Sequence, residues 1–349
     1  MKILGIESSC DETAASVVEN GTRLLSNVIN SQIDIHSIYG GVVPEVAARS
    51  HLEVVLPVIE KALGDAACTW DDIDAVAVTY APGLVGSLLI GTLAARTLAL
   101  LKNKPLYPIH HVEGHVYANF LIDKTPEFPV LALIVSGGHS QLVLFRDHGD
   151  YELLGQTQDD AVGEAFDKVA KIIGLPYPGG PSIAQAAKSG NPHAFTFPKA
   201  RMQGAYDFSF SGLKTAVLRT VQAETGVAYD FPSHQLPERV SDGLRADVAA
   251  SFQRVAVETL VDKAEKAFHD YSPASVVIAG GVAANQELRR QLSDRLPLPI
   301  EYAPINLCTD NAAMIASLGY YYALKNDPTD PRDLEIIPSL SMTKTAWAK

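Results

Sequence analysis

The sequence predicts an α/β protein of two similar halves, and three observations carry that reading. Short buried runs alternate with longer amphipathic stretches through most of the 349 residues. Residues 2–29 and 129–157 share one layout: strand, polar turn of small residues, strand, tight turn, strand. Such self-similarity indicates a duplicated β-meander that opens each half, with an interlobe nucleotide cleft between them. Glycine-rich turns also follow buried runs at Ser136-Gly137-Gly138, Pro178-Gly179-Gly180-Pro181 and Gly280-Gly281. Backbone N–H groups in such turns can approach a phosphate because no Cβ intervenes.

Taken in order, the first meander comprises predicted strands at 2–7, 14–18 and 23–29, with Asn20-Gly21 as the hairpin turn. Pro44 opens a long helix whose expected apolar face is Ala47, Leu52, Val55, Val58, Ile59 and Leu63. A strand at 75–79, an apolar helix at 88–101, a strand at 105–109 and a histidine-bearing helix complete the first half. The second meander is predicted at 129–135, 141–146 and 151–157. Helices at 161–173, 182–187 and 244–267 follow, with a loop-like stretch at 224–243. A strand at 275–279, a helix at 286–292, a strand at 300–303 and a helix at 312–325 end the pattern. The expected domains are therefore an N-terminal lobe, 1–128, a C-terminal lobe, 129–325, and a weakly ordered Pro- and Asp-rich tail, 326–349.

Hydrophobic residues make up 47% and charged residues 19%, as in a well-cored globular chain. No apolar run approaches the ~20 residues of a membrane span, so no membrane is expected. The N-terminus is too soon interrupted by charge for a signal peptide. Cys10, Cys68 and Cys308 are too scattered for a disulfide framework, which favours the cytoplasm. The net charge of -12 argues against a generic nucleic-acid binder. Residues 161–220 nonetheless hold seven basic and three acidic side chains, a +4 segment that is ordinary surface charge or, if a nucleic acid is bound, a face that meets phosphate.

His111 and His115 stand four apart in His110-His111-Val112-Glu113-Gly114-His115. On a helix they project ~40° from each other, which suits two imidazoles sharing one metal ion. The alternative is a pair packed on a core-facing helix. A peptidase would place a glutamate directly after the first histidine. Val112 occupies that place, and Glu113 lies ~200° from His111 on the far side. Asp310, at the start of a predicted helix, is either an N-cap carboxylate or the third metal ligand. Cys308 ranks below it as a ligand. No phosphate-binding P-loop and no dinucleotide glycine fingerprint is present.

The motifs Gly5-Ile6-Glu7-Ser8-Ser9-Cys10-Asp11-Glu12-Thr13, Gly40-Gly41-Val42-Val43-Pro44-Glu45, Ala81-Pro82-Gly83-Leu84 and His111-Val112-Glu113-Gly114-His115 occur in that order. They are followed by Val135-Ser136-Gly137-Gly138-His139, Asp167-Lys168, Pro178-Gly179-Gly180-Pro181, Phe210-Ser211-Gly212-Leu213-Lys214-Thr215, Gly280-Gly281-Val282-Ala283-Ala284-Asn285 and Cys308-Thr309-Asp310-Asn311. Together they resemble the bacterial TsaD family, from residue 1 to about 325. The resemblance implies an actin/Hsp70/sugar-kinase-like fold. It implies transfer of a threonylcarbamoyl group from threonylcarbamoyl-AMP to the exocyclic amine of adenosine 37 in tRNAs reading codons that begin with A. His111, His115 and Asp310 match the positions that hold one Fe2+ or Zn2+ per subunit. Ile134, Val135, Ser136, Gly137, Gly138, Asp167, Gly180 and Asn285 match substrate-binding positions, and ATP or ADP is an alternative occupant of the same cleft. Ser9, Asp11, Glu12 and His139 are candidates for proton handling or orientation. The implied partners are tRNA, TsaB as a heterodimer partner, TsaE as an ATPase accessory and TsaC as supplier of the intermediate. An ATP-dependent phosphotransferase and a metallopeptidase are the competing readings.

Overall fold

A computed structural model describes residues 1–342, and the C-terminal residues 343–349 lie outside that description. The chain forms two compact units. The first holds Met1–Phe128, Phe145–Glu152 and the chain from Glu301 onward, and the second holds Pro129–Leu144 and Leu153–Ile300.

In the first unit, strands β1 (Lys2–Glu7), β2 (Glu12–Glu19) and β3 (Arg23–Ser31) form an antiparallel meander. Strands β4 (Ala75–Ala81) and β5 (Leu106–His110) extend it in parallel, giving the order β3-β2-β1-β4-β5. Side chains alternate between the sheet's faces. Leu4, Ile6, Ala15, Val17, Val76 and Val78 pack with Val55, Val58 and Ile59 of helix Pro44–Asp65 and Ala95 and Ala99 of helix Val85–Lys102. Ile3, Gly5 and Ala77 meet helix Ala312–Lys325 on the opposite face. With both faces covered, β1 and β4 read as continuous buried runs rather than as alternating ones. Helix Val85–Lys102 is long and apolar enough to span a membrane by length and composition, yet Leu88, Ala95 and Ala99 lie in this core.

Two glycines set how near the final helix comes. A Cβ on Gly5 would sit 2.3 Å from the Ala312 carbonyl oxygen and 2.8 Å from the Ala316 nitrogen. A Cβ on Gly114 would sit 2.9 Å from Ile315 Cδ1, so helix His111–Tyr117 also lies tight against the final helix.

The second sheet repeats the first. Strands β6 (Val130–Val135), β7 (Ser140–Asp147), β8 (Asp150–Gln156), β9 (Ser275–Ala279) and β10 (Ile300–Tyr302) run in the order β10-β9-β6-β7-β8. Numbered from its own first strand, each sheet has the order 3-2-1-4-5, so the expected duplication and α/β class are present. Helices Val162–Ile173, Gly179–Ala187, Ser211–Glu224, Asp242–Tyr271 and Gln286–Arg295 belong to the second unit.

The expected domain limits differ from the structure in two places. The chain from Glu301 onward joins the first unit, where helix Ala312–Lys325 packs on β1 and β4. The hairpin Phe145–Glu152 joins it as well, where His148 stacks on Tyr321 at 3.8 Å and its Nδ1 shares a hydrogen bond with the Tyr117 hydroxyl at 3.0 Å. The tail expected to be weakly ordered is pinned through its described part. Arg96 donates to the Pro331 carbonyl, Ile337 N–H donates to the Tyr80 carbonyl at 3.0 Å, and Leu334 is 4% exposed in the core. Replacing Leu334 by Ala should cost about 2–5 kcal/mol in urea unfolding, the range for a buried leucine. A cost near zero would show that this segment contributes nothing to the core.

Candidate metal centre

The residues at issue in the first unit follow the carboxyl ends of three neighbouring parallel strands, where α/β sheets place their sites. Glu7 closes β1, Thr79 lies near the end of β4, and His111 begins the helix that follows β5. His110 N-caps that helix, its Nδ1 accepting the Glu113 N–H at 3.4 Å. One helical turn then brings the His111 and His115 rings to a centroid separation of 4.7 Å at 74°. They are 6% and 1% exposed.

Asp310 reaches them from the loop before helix Ala312–Lys325. Asn311, not Asp310, is the N-cap: its Oδ1 accepts the Met314 N–H at 3.1 Å and its Nδ2 donates to the Leu307 and Thr309 carbonyls. Asp310 Oδ1 lies 3.6 Å from His111 Nε2 and 3.4 Å from His115 Nε2. One ligand atom from each of the three residues falls within 4.8 Å of the others. Donors held at the ~2.0–2.2 Å typical of metal bonds stand ~3–3.6 Å apart, so the spacing fits one cation. Neither ring nitrogen of His115 makes a hydrogen bond among the described residues, a costly state for a buried imidazole with nothing to ligate. The Cys308 thiol donates instead to the Ala303 carbonyl.

Charge is concentrated here. Burial opposes ionisation of Glu7, but its ion pair and hydrogen bond with His111 and its bond from Thr79 hold the carboxyl below the ordinary range. Burial likewise opposes the His111 cation, yet Glu7 and Asp310 raise its pKa to about 9. Glu12 is pushed up to about 10 by burial and by Asp310 and Asp11, and its carboxyl accepts the Ser31 hydroxyl. Ser9 Oγ stands 3.1 Å from His111 Nδ1, and Asp11 is 8% exposed. His51, which sequence reasoning passed over, fastens the turn that carries them. Its ring meets Thr13 Oγ1 at 2.7 Å and the Cys10 carbonyl at 2.9 Å, and burial lowers its pKa. Glu7 and Thr79 were missed too. The one available signal was a carboxylate directly after the apolar run Ile3-Leu4-Gly5-Ile6.

The other expected site residues lie in the second unit. Ile134, Val135 and Ser136 are buried at the end of β6, and Gly137 and Gly138 are exposed in the turn after it. Ser136 N–H donates to the His139 carbonyl at 2.8 Å, and His139 is half-buried. Asp167 accepts the Gly179 N–H at 2.6 Å, beside Gly180, and burial raises its pKa. Asn285 caps helix Gln286–Arg295 and donates to Gln253, so its amide already has structural partners. Of the seven basic side chains in 161–220, three form ion pairs among the described residues. Lys168 pairs with Asp160 and Glu164, Lys214 with Asp160, and Lys199 with Glu258 and Asp262. Lys171, Lys188 and Arg201 are exposed and form no ion pair among the described residues.

The His111 shift has a consequence for stability. Its folded pKa of about 9 exceeds its unfolded value of 6.5, so its contribution is complete below pH 6.5 and lost as pH rises through about 9. The raised pKa of Glu12 acts in the same direction. The metal-free protein should therefore melt at falling temperature across that window. A constant or rising Tm there contradicts the pairing.

A model of the TsaD family, described as tRNA N6-adenosine threonylcarbamoyltransferase, matches residues 23–317. A protein of that name from Dehalococcoides mccartyi is 51% identical over 343 residues, covering 98% of this chain and 100% of its own. Its namesake from Symbiobacterium thermophilum is 52% identical, with 97% of this chain and 96% of its own covered. Among solved structures, HypF of T. kodakarensis superposes with a TM-score of 0.61 at 14% identity, covering 93% of this chain and 48% of HypF, a likeness of fold alone. Half of the residues are thus shared with these relatives from end to end, and the chain belongs to the TsaD family of tRNA N6-adenosine threonylcarbamoyltransferases.

Proposed function

We propose that this chain transfers the threonylcarbamoyl group of threonylcarbamoyl-AMP to the exocyclic amine of adenosine 37 in tRNAs reading codons that begin with A, with a divalent metal held by His111, His115 and Asp310. The observation that supports the metal-assisted form is the convergence of those three ligand atoms, with both imidazoles buried and Asp310 half-buried. Fe2+ and Zn2+ both suit two imidazoles and a carboxylate. When bound, such an ion polarises the donor and holds it still.

In the transfer, the adenosine N6 forms a bond to the carbamoyl carbon. The bond from that carbon to the phosphate oxygen breaks, AMP departs with the electron pair, and N6 gives up a proton. N–H groups of the turns around Gly137, Gly138 and Gly180 would hold the AMP phosphate and take up charge as it leaves. Asp167 would accept from a ribose hydroxyl, and Ile134, Val135, Ser136 and Asn285 would shape the rest of the adenylate pocket. Ser9, Asp11, Glu12 and His139 are the groups available for proton handling or orientation. Lys171, Lys188 and Arg201 remain to meet tRNA phosphates. An assembly with TsaB and TsaE, supplied by TsaC, belongs to the same reading.

The test is product formation from synthetic threonylcarbamoyl-AMP and unmodified tRNA with the partner proteins present. His111→Ala and Asp310→Ala should each abolish the product. Full activity in both removes the metal from the reaction. No product with the unaltered chain, together with rapid ATP turnover in the absence of tRNA, favours a phosphotransferase instead.

A further inference from the structure

Glu7 lies outside the ligand group, yet it is the most tightly held carboxylate next to it. It is 0% exposed and closes β1. Three donors converge on its two oxygens. Oε1 accepts the Ser9 N–H at 2.5 Å. Oε2 accepts the Thr79 hydroxyl at 2.5 Å and faces His111 Nδ1 at 3.0 Å. A carboxylate can only accept, so the Nδ1 that faces it carries the hydrogen. When the ring gives up a proton to take a metal, Nδ1 keeps its hydrogen and the lone pair is left on Nε2, the nitrogen turned toward Asp310 Oδ1. The Ser9 hydroxyl also stands 3.1 Å from Nδ1. Were it to donate there, the hydrogen would sit on Nε2 and ligation would be blocked. The carboxylate decides between these two states.

We infer that Glu7 is a positioning residue for the metal, fixing His111 in the Nδ1–H form so that Nε2 is presented as a ligand. The inference rests on the metal reading proposed above. Carboxylate–histidine–metal arrangements of this kind orient the ring and strengthen it as a ligand. Glutamine cannot substitute. Its amide has one accepting oxygen: with the NH2 group toward Ser9 it confronts the Ser9 N–H, and flipped, it faces His111 Nδ1 as a donor, which is met only if the ring hydrogen moves to Nε2.

The experiment measures Zn2+ affinity of the full chain by chelator competition, for the unaltered protein, His111→Ala and Glu7→Gln, with circular dichroism as the check of fold. Glu7→Gln should weaken Zn2+ binding roughly 10–100-fold, the usual effect of losing such a partner. The stabilisation by added Zn2+, read as a shift in Tm, should shrink in parallel. Affinity equal to that of the unaltered protein overturns the inference while leaving the metal site standing. If the unaltered protein binds no more tightly than His111→Ala, the metal reading itself fails. Nitrogen-15 spectra of the Zn2+-loaded unaltered protein decide the matter even if Glu7→Gln does not fold. Ligation through Nε2 of His111 with a protonated Nδ1 supports the inference, and ligation through Nδ1 overturns it.

Discussion

The arrangement at His111, His115 and Asp310 depends on how closely helix Ala312–Lys325 can lie on β1 and on the histidine helix. Gly5 and Gly114 permit that approach, because a single methyl group at either would overlap the helix backbone or Ile315. Asn311 fixes the other end by closing the loop and capping the helix, and it is wholly buried. Asp310 precedes that cap by one residue. Its place beside the histidines therefore follows from backbone packing and does not require attraction between the charged groups.

The electrostatics are costly without a cation. Glu7, Asp310 and Glu12 bring carboxyl groups into a space where water is scarce, and burying like charges together is strongly unfavourable. The metal-free protein answers by keeping a proton on His111 and another on Glu12. A divalent cation at the proposed site would relieve the same repulsion. Glu7 stays within the protein's own hydrogen bonds and would act on such a cation only through the His111 ring.

Much of this was legible in the chain, and the failures have physical causes. The duplicated meander was readable because its strands are short, apolar and separated by glycine or small polar turns. The histidine pair was readable because i, i+4 spacing is a local property of a helix. Asp310 was ambiguous, since adjacent Asp and Asn both cap helices well, and only the structure shows that Asn311 takes the role. Glu7 escaped notice because its partners are 72 and 104 residues away. The pairing of Lys199 was not readable because its partners Glu258 and Asp262 come from helix Asp242–Tyr271. The tail misled for a related reason. Its Pro and Asp content resembles a linker, whereas the burial of Leu334 depends on strands hundreds of residues earlier.

X-ray absorption at the metal edge of the loaded protein tests the central claim most directly. The account expects two imidazole nitrogens and one carboxylate oxygen at about 2.0–2.2 Å, with the nitrogen shell reduced by one in His115→Ala and the carboxylate oxygen lost in Asp310→Ala. A first shell containing sulfur, or one unchanged by either substitution, would contradict it.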